Sequence, residues 1–204
     1  TMAEPRNPRR TEAQRRHASR SRVLDSACRL FGERGYDATS LEDIASDCGL
    51  TARPIYHYFG SKQALFAAVN ERMEQRILDA VSGHAGEAPG DIVENWRAFQ
   101  QLCRDPIFHR IVLVDSRNVL GTARWATSPL SDETDAAPAA ADADRAARFR
   151  AALLNRVVMS AFVDAALMIA ASDDPVLAER EAEALISSLF SRLRGHLSVP
   201  LPAP

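Results

Sequence analysis

The chain has 204 residues, 46% of them apolar, which suits one or two domains with a substantial core. No apolar run is long enough to cross a bilayer, and the Arg-rich start lacks an apolar signal core, so a cytoplasmic protein without membrane contact is expected. Net charge is only −2, but residues 1–62 hold 11 basic and 8 acidic side chains and the remainder 14 and 19, a polarity that lets one end approach phosphates.

Residues 1–19 carry Arg6, Arg9, Arg10, Arg15 and Arg16 with Pro5 and Pro8 and almost no large apolar side chain. A disordered basic arm is predicted, either a solubilising tail or an arm that falls onto DNA. A first helix is predicted near 20–34, with Val23, Leu24, Ala27, Leu30 and Phe31 on one face and Gly35 as its stop.

Residues 39–62 then read as a helix-turn-helix. Ser40 followed by Asp43 is a capping box, and Leu41, Ile44 and Ala45 fall on one face of the helix it starts. Gly49 can take the left-handed backbone of a tight turn. Thr51 is placed to cap the next helix, and Pro54 falls in its first turn, where a missing N–H costs little. Ile55 and Phe59 face inward at i, i+4, leaving Arg53, Tyr56, His57 and Tyr58 to point outward. A short helix that exposes Arg, Tyr, His and Tyr is poorly explained by folding and well explained by a DNA groove.

A fourth helix is predicted from Ser61, with Leu65, Phe66, Val69, Met73, Ile77 and Val81 at helical spacing. Gly83, Gly86, Pro89 and Gly90 break it. Asp91 with Glu94 starts a fifth helix, and Asp105-Pro106 a sixth, whose run Ile107 to Val114 is apolar enough to be central. Residues 126–144 hold five acids and no base, and are read as a mobile loop or a frayed helix. An eighth helix is predicted from Arg145 to Ala171, carrying the small residues Ser160, Ala161, Ala165 and Ala166. A ninth starts at Asp174-Pro175, with an apolar stripe of Leu185, Ile186, Leu189, Phe190 and Leu193 before Pro200 and Pro202.

Five pieces of the N-terminal third occur in order. They are Leu-Phe-Gly-Glu-Arg-Gly-Tyr (30–36), Ala-Thr-Ser-Leu-Glu-Asp-Ile-Ala (38–45), Gly-Leu-Thr (49–51), Ile-Tyr-His-Tyr-Phe (55–59) and Ser-Lys-Gln-Ala-Leu (61–65). Together they resemble the DNA-binding domain of the TetR (TetR/AcrR) family of transcriptional regulators over about residues 20–70, with Pro54 as a departure from the family pattern.

The resemblance implies an all-α protein: a basic arm over 1–19, a three-helix DNA-binding domain over 20–66, and a helical effector-binding and dimerisation domain over 67–197. It implies a homodimer through helices eight and nine on double-stranded operator DNA, repressing until a small effector binds. By resemblance, Ala52, Arg53 and Pro54 enter the major groove, where Arg53 can pair with a guanine edge. Tyr56, His57 and Tyr58 match positions that contact phosphates or base edges. Thr39, Ser40 and Thr51 offer hydroxyls to phosphates, and Lys62 matches the clamp lysine. The family's effector site suggests Trp96, Phe99, Cys103, Phe108, Val112, Asp115, Met159 and Phe162 as lining, each of which is otherwise ordinary core. A hydrophobic or amphipathic effector is expected there, with Asp115 or Cys103 as its polar anchor.

The other chemistry is sparse. Cys28, Cys48 and Cys103 are few and far apart, which fits reduced buried thiols, with a redox role for Cys103 as the alternative. The five histidines are scattered, no zinc spacing, phosphate-binding glycine loop or nucleophile elbow occurs, and neither a cofactor nor an enzyme is expected. Asp115 and Asp164 interrupt apolar helices and need partners, for which Arg110 and Arg156 are candidates. Two rivals remain at this stage: a structural DNA-binding protein without an effector, and a helical-bundle enzyme.

Overall fold

In a computed structural model of the chain, the structure describes residues 12–82, 92–124 and 142–197. Among the described residues all regular structure is helical. The helices are α1 (Glu12–Arg34), α2 (Leu41–Asp47), α3 (Ala52–Phe59), α4 (Lys62–Ser82), α5 (Ile92–Cys103), α6 (Pro106–Phe108), α7 (Ser116–Arg124), α8 (Asp142–Ala170) and α9 (Pro175–Leu197). A π-helical segment, His109–Asp115, joins α6 to α7. None of the described helices is long and apolar enough to cross a membrane.

Two boundaries differ from expectation. The first helix begins at Glu12, so residues 12–19 are helical rather than a disordered arm. Pro5 and Pro8 end their influence before this point, and the stretch from Glu12 to Phe31 contains neither Pro nor Gly. An i, i+4 pair, Glu12 with Arg16, lies along the first turns at 3.8 Å. The eighth helix starts at Asp142, inside the stretch read as a loop. Arg6, Arg9 and Arg10, residues 126–141, and the closing Pro200 and Pro202 lie outside the described residues, as do the side chains of Phe190 and Leu193.

The N-terminal helices close on a core of Val23, Ala27, Leu30, Phe31, Leu41, Ile44, Ala45 and Ile55. Burying each of the larger of these side chains contributes about 1.5–3 kcal/mol before entropy is charged. α2 turns into α3 at Gly49 (φ +67°), where Leu50 N–H reaches back to the Ala45 carbonyl at 2.8 Å. Phe31, Tyr36 and Phe66 then form an aromatic triad, with Phe66 edge-on to both partners at 5.2 Å. Phe66 belongs to α4, which continues without a break to Ser82 and buries Leu65, Val69, Met73 and Ile77 on the way. One rod therefore serves both halves of the protein.

The second half packs Trp96 and Phe99 of α5, Phe108 of α6 and Phe162 of α8 against one another. α6 starts where Asp105-Pro106 predicts. The Asp105 carboxylate accepts the Ile107 N–H at 3.0 Å and the Arg76 guanidinium at 2.9 Å. Burial opposes the charge on Asp105, but Arg76 and the N–H groups of Ile107 and Phe108 outweigh it and hold its carboxyl below the usual range. The apolar run that follows is not a plain α-helix. Wider i→i+5 turns carry His109–Asp115, and three successive residues, Ile111, Val112 and Leu113, all reach the core.

α1 crosses this segment at Gly32. A Cβ on Gly32 would lie 2.5 Å from Ile107 Cγ2 and 2.8 Å from its Cβ. Close approach of α1 and α6 therefore requires glycine. Gly32→Ala should push the helices apart and lower unfolding stability by about 1–3 kcal/mol, the usual scale of overpacking; urea denaturation followed by circular dichroism measures it, and an unchanged midpoint would refute the tight crossing.

Candidate nucleic-acid interface and the core behind it

The helix-turn-helix is fixed by polar ties at both ends of α2. At its start, Asp43 N–H donates to the Ser40 hydroxyl at 3.0 Å and Ser40 N–H to the Asp43 carboxylate at 2.8 Å. These bonds from Ser40 hold the Asp43 carboxyl below its ordinary range. At its end, the Ser26 hydroxyl donates to Asp47 at 2.6 Å, and Arg29 also bonds that carboxylate. Ser26 and then Arg29 depress the Asp47 carboxyl, and the pair tie α2 to α1. Sequence reading missed this tie, because Ser26 and Asp47 lie 21 residues apart.

α3 buries only Ile55. Arg53, His57 and Tyr56, the last 52% exposed, lie on its open side. Ala52, Pro54, Tyr58 and Phe59 are half-buried. Thr51 stands at the N-cap position but makes no capping bond with its side chain, so its predicted cap is absent and it remains exposed. Gly60 (φ +80°) ends α3 and hands the chain to α4. At the head of α4 the Lys62 ammonium sits 4.1 Å above the Tyr36 ring.

Ser40, Tyr56 and Lys62 meet in one open hollow of about 490 Å³, together with Ser61 and the 37–43 turn. Pro54 and Tyr58 line a second open cleft of about 760 Å³ on the opposite flank, facing Arg15, Arg16 and Arg22 of α1. The early start of α1 thus sets arginines beside α3, and Arg20 lies 5.0 Å over the Phe59 ring.

Thr39 is a correction. It is 1% exposed, and its hydroxyl donates within reach of two carbonyls, Gly35 at 2.8 Å and Leu30 at 3.2 Å. That hydroxyl closes the turn after α1, so it is committed to the fold.

In the C-terminal half, Trp96, Phe99, Phe108 and Phe162 come together with at most 1% of each exposed, and Val112 and Met159 join the same core. Cys103 is half-buried, and burial pushes its thiol up to about 12, which suppresses the reactive thiolate and argues against a redox role. Asp115 is the second correction. Its carboxylate accepts the backbone N–H of Tyr36 at 2.8 Å and pairs with Arg110 at 3.7 Å, so it faces the N-terminal helices instead of anchoring a ligand. Asp164 pairs with Arg117 at 3.1 Å, not with Arg156.

Comparison with known proteins agrees with this arrangement. The family model for bacterial regulatory proteins, tetR family, matches residues 23–69. The model for the tetracyclin repressor-like C-terminal domain matches residues 91–193, half of the chain. The chain belongs to the TetR family. It is similar to the HTH-type transcriptional regulator AcrR of Shigella flexneri, 35% identical over 82 residues that make up 40% of this chain and 38% of that protein. It is also similar to IcaR of Staphylococcus aureus (strain Newman), the negative transcriptional regulator of the biofilm operon icaADBC. There the identity is 36% over 102 residues, 43% of this chain and 55% of IcaR. The chain therefore spans only 38–55% of the length of these curated relatives. A TetR-family transcriptional regulator of Pectobacterium atrosepticum superposes with a TM-score of 0.63 at 25% identity, covering 94% of this chain and 100% of that one.

The inward hydroxyl of Thr39 separates stability from DNA contact. Thr39→Val should lower unfolding stability by about 1–3 kcal/mol, because two buried carbonyls lose their donor. It should leave the salt dependence of DNA binding unchanged; a shallower salt slope with unchanged stability would restore the phosphate-contact role.

Proposed function

We propose that this TetR-family protein is a DNA-binding transcriptional repressor that acts as a homodimer and releases its operator when a small molecule enters its C-terminal domain. The observation that carries the DNA reading is α3. It spends one residue, Ile55, on the core and leaves Arg53, Tyr56 and His57 in solvent beside Lys62. Such a face gains nothing for folding and suits a major groove. In this reading residues 20–66 are the DNA-binding unit and 67–197 the sensing and dimerising unit. Arg53 pairs with a base edge, with Ala52 and Pro54 close to it. Ser40, Thr51, Tyr56, His57, Tyr58 and Lys62 hold phosphates or base edges. Arg15, Arg16 and Arg22 extend the basic surface along α1. The sign of regulation follows the relative IcaR, whose name is that of a negative regulator.

Assembly rests on a second observation. α8 exposes Phe149 (69%), Leu153 and Val157 at i, i+4, i+8, and Met168 further along, while α9 exposes Leu185 and Leu189. Apolar side chains in such rows on two adjacent helices form a face that water does not favour, and a second copy of the same pair closes it as a four-helix interface. Two recognition helices are then held apart by one helical repeat of DNA, ~34–36 Å, or a multiple of it, which calls for a near-palindromic operator.

Coupling rests on the junction already described. α4 is continuous between the two units, and Asp115 on the π segment grips the Tyr36 N–H at the end of α1. A molecule that displaces α4 or the π segment changes the separation of the recognition helices, provided that it binds the released state more tightly.

Fluorescence anisotropy with DNA from the intergenic region beside the gene tests the DNA reading. Arg53→Ala should cost about 1–3 kcal/mol of operator binding and relax preference at one base pair per half-site. Lys62→Ala should weaken all sequences about equally and reduce the salt slope by about one per half-site. Operator affinity equal to wild type in both variants would remove the docking proposed for α3.

Sedimentation tests the assembly. Leu189→Glu places a charge in the middle of the α8–α9 face and should yield a monomer that has lost tight operator binding, with the helical signal retained. A wild-type protein that is monomeric at micromolar concentration and still binds a full operator tightly would contradict the dimer.

A further inference from the structure

Several buried polar groups of α4, α5 and α7 have atoms that make no hydrogen bond. Among the described residues, Asn70 Oδ1, Trp96 Nε1 and Ser116 Oγ lack any hydrogen bond, and their residues are 2%, 0% and 0% exposed. An unsatisfied buried polar atom is destabilising, so several of them are unusual in a core built only for stability.

Two ties place Asn70 and Ser116 along one seam. Arg76 of α4 bonds Asp105 at 2.9 Å, and Gln63 of α4 donates to the Val119 carbonyl of α7 at 2.7 Å. The helical run from Pro106 to Leu120, which Gly121 (φ +73°) interrupts, therefore runs antiparallel to α4. Asn70 lies two turns, about 10 Å, from Gln63 and on the same face of α4, and Ser116 lies one turn, about 5 Å, from Val119. Both sit along the same seam, within about 6 Å of a common level. Trp96 belongs to α5, which packs along α4, and its ring meets Phe162 of α8 edge-on at 5.1 Å.

The Asn70 amide is oriented. Its Nδ2 donates to Glu74 Oε1 at 2.7 Å, and Glu74 is itself 2% exposed. The free Asn70 atom is therefore an acceptor. The free Trp96 atom is a donor, and the Ser116 hydroxyl can do either.

We infer that Asn70, Ser116 and Trp96 are the polar recognition groups of the effector site, and that the effector is an aromatic compound with a donor-bearing hydroxyl or amine head, not an organic acid. The inference rests on the effector reading given above and names the ligand class for it. The aromatic body replaces packing among Trp96, Phe99 and Phe162. The head donates to Asn70 Oδ1, a hydroxyl head also accepts from Trp96 or Ser116, and a carboxylate head, which has no proton to donate, is refused by the Asn70 oxygen. The polar anchors are thus neither Asp115, which is tied to Tyr36, nor Cys103.

The test uses the full chain and three matched probes, 2-naphthol, 2-naphthylmethylamine and 2-naphthoate, by titration calorimetry. Naphthol and the amine should bind, with naphthoate at least about tenfold weaker. Asn70→Leu and Ser116→Ala should each weaken naphthol by about five- to tenfold, the worth of one hydrogen bond. Ser116→Ala should also raise the melting temperature of the unliganded protein, since it deletes an unsatisfied group; a fall would mark the hydroxyl as structural and overturn its assignment. Equal binding of naphthoate, binding of none of the three at about 1 mM, or variants that bind as wild type would overturn the inference. The broader reading fails separately. If naphthol binds at this site but leaves operator affinity unchanged, the ligand class stands and effector control falls. If some other compound releases DNA with Asn70→Leu as effectively as with wild type, effector control stands and this site falls.

Discussion

Tyr36 donates its backbone N–H to Asp115, four residues beyond the point where Gly32 lets α1 sink onto Ile107. The guanidinium of Arg110 lies over Gly35 between the two, where a Cβ would approach it to 2.5 Å, and it pairs with the same aspartate. This small junction decides how the N-terminal helices stand on the rest of the protein. The aromatic triad of Phe31, Tyr36 and Phe66 backs it from the other side, so α1, α4 and the π segment meet at one place. Gly35 (φ +85°) is needed there for the left-handed turn after α1, and Arg110 fills the space above it. The Lys62 ammonium rests on the outer face of the same Tyr36 ring. A shift of the junction therefore reaches the basic group that heads α4 through a single aromatic side chain.

Much of this was legible in the chain because the signals are local. Ser40 with Asp43, Asp105 with Pro106, and Gly49 each act within four residues, and each starts or turns a helix where expected. The inward stripe of α4 follows from spacing alone. What was not legible depends on partners far away in sequence. The Asp115 carboxylate meets a backbone group 79 positions earlier, and no pattern around Asp115 announces it. Thr39 reads as a phosphate-binding hydroxyl until the 35–39 turn curls it onto two carbonyls of its own domain. The π segment is hidden for another reason: a test for 3.6-residue periodicity finds an apolar run and cannot say that the turns widen. The start of α1 at Glu12 was obscured by arginine content, which signals disorder only where helix-forming neighbours are missing.

The polar surface of the helix-turn-helix divides by what its residues do for the fold. Ser26, Asp43 and Asp47 have their charges and hydroxyls committed to hydrogen bonds within the domain. Arg53, Tyr56 and His57 are exposed on α3 and contribute little to its packing. Surface side chains of this second kind have small effects on stability, usually within about half a kcal/mol. Substitutions of the first kind disturb the frame. Lys62 stands between the two groups, since its cation–π contact with Tyr36 is worth only about 0.5–1 kcal/mol.

The same division explains where movement can occur in the C-terminal half. α8 buries Val158, Met159, Phe162, Val163 and Ala166 on one side and exposes Phe149, Leu153, Val157 and Met168 on others. A second copy covering the exposed rows would hold α8 on both sides and make it the fixed wall of the aromatic cluster. The opposite wall is α4 with the π segment. It contains the unsatisfied Asn70 and, at the start of α7, the unsatisfied Ser116, and its wide turns are the less common helical form. The side with unmade polar groups and the less regular backbone is the less firmly held of the two. That side also holds the Tyr36 N–H through Asp115, so α4 and the π segment join the aromatic cluster to the N-terminal helices.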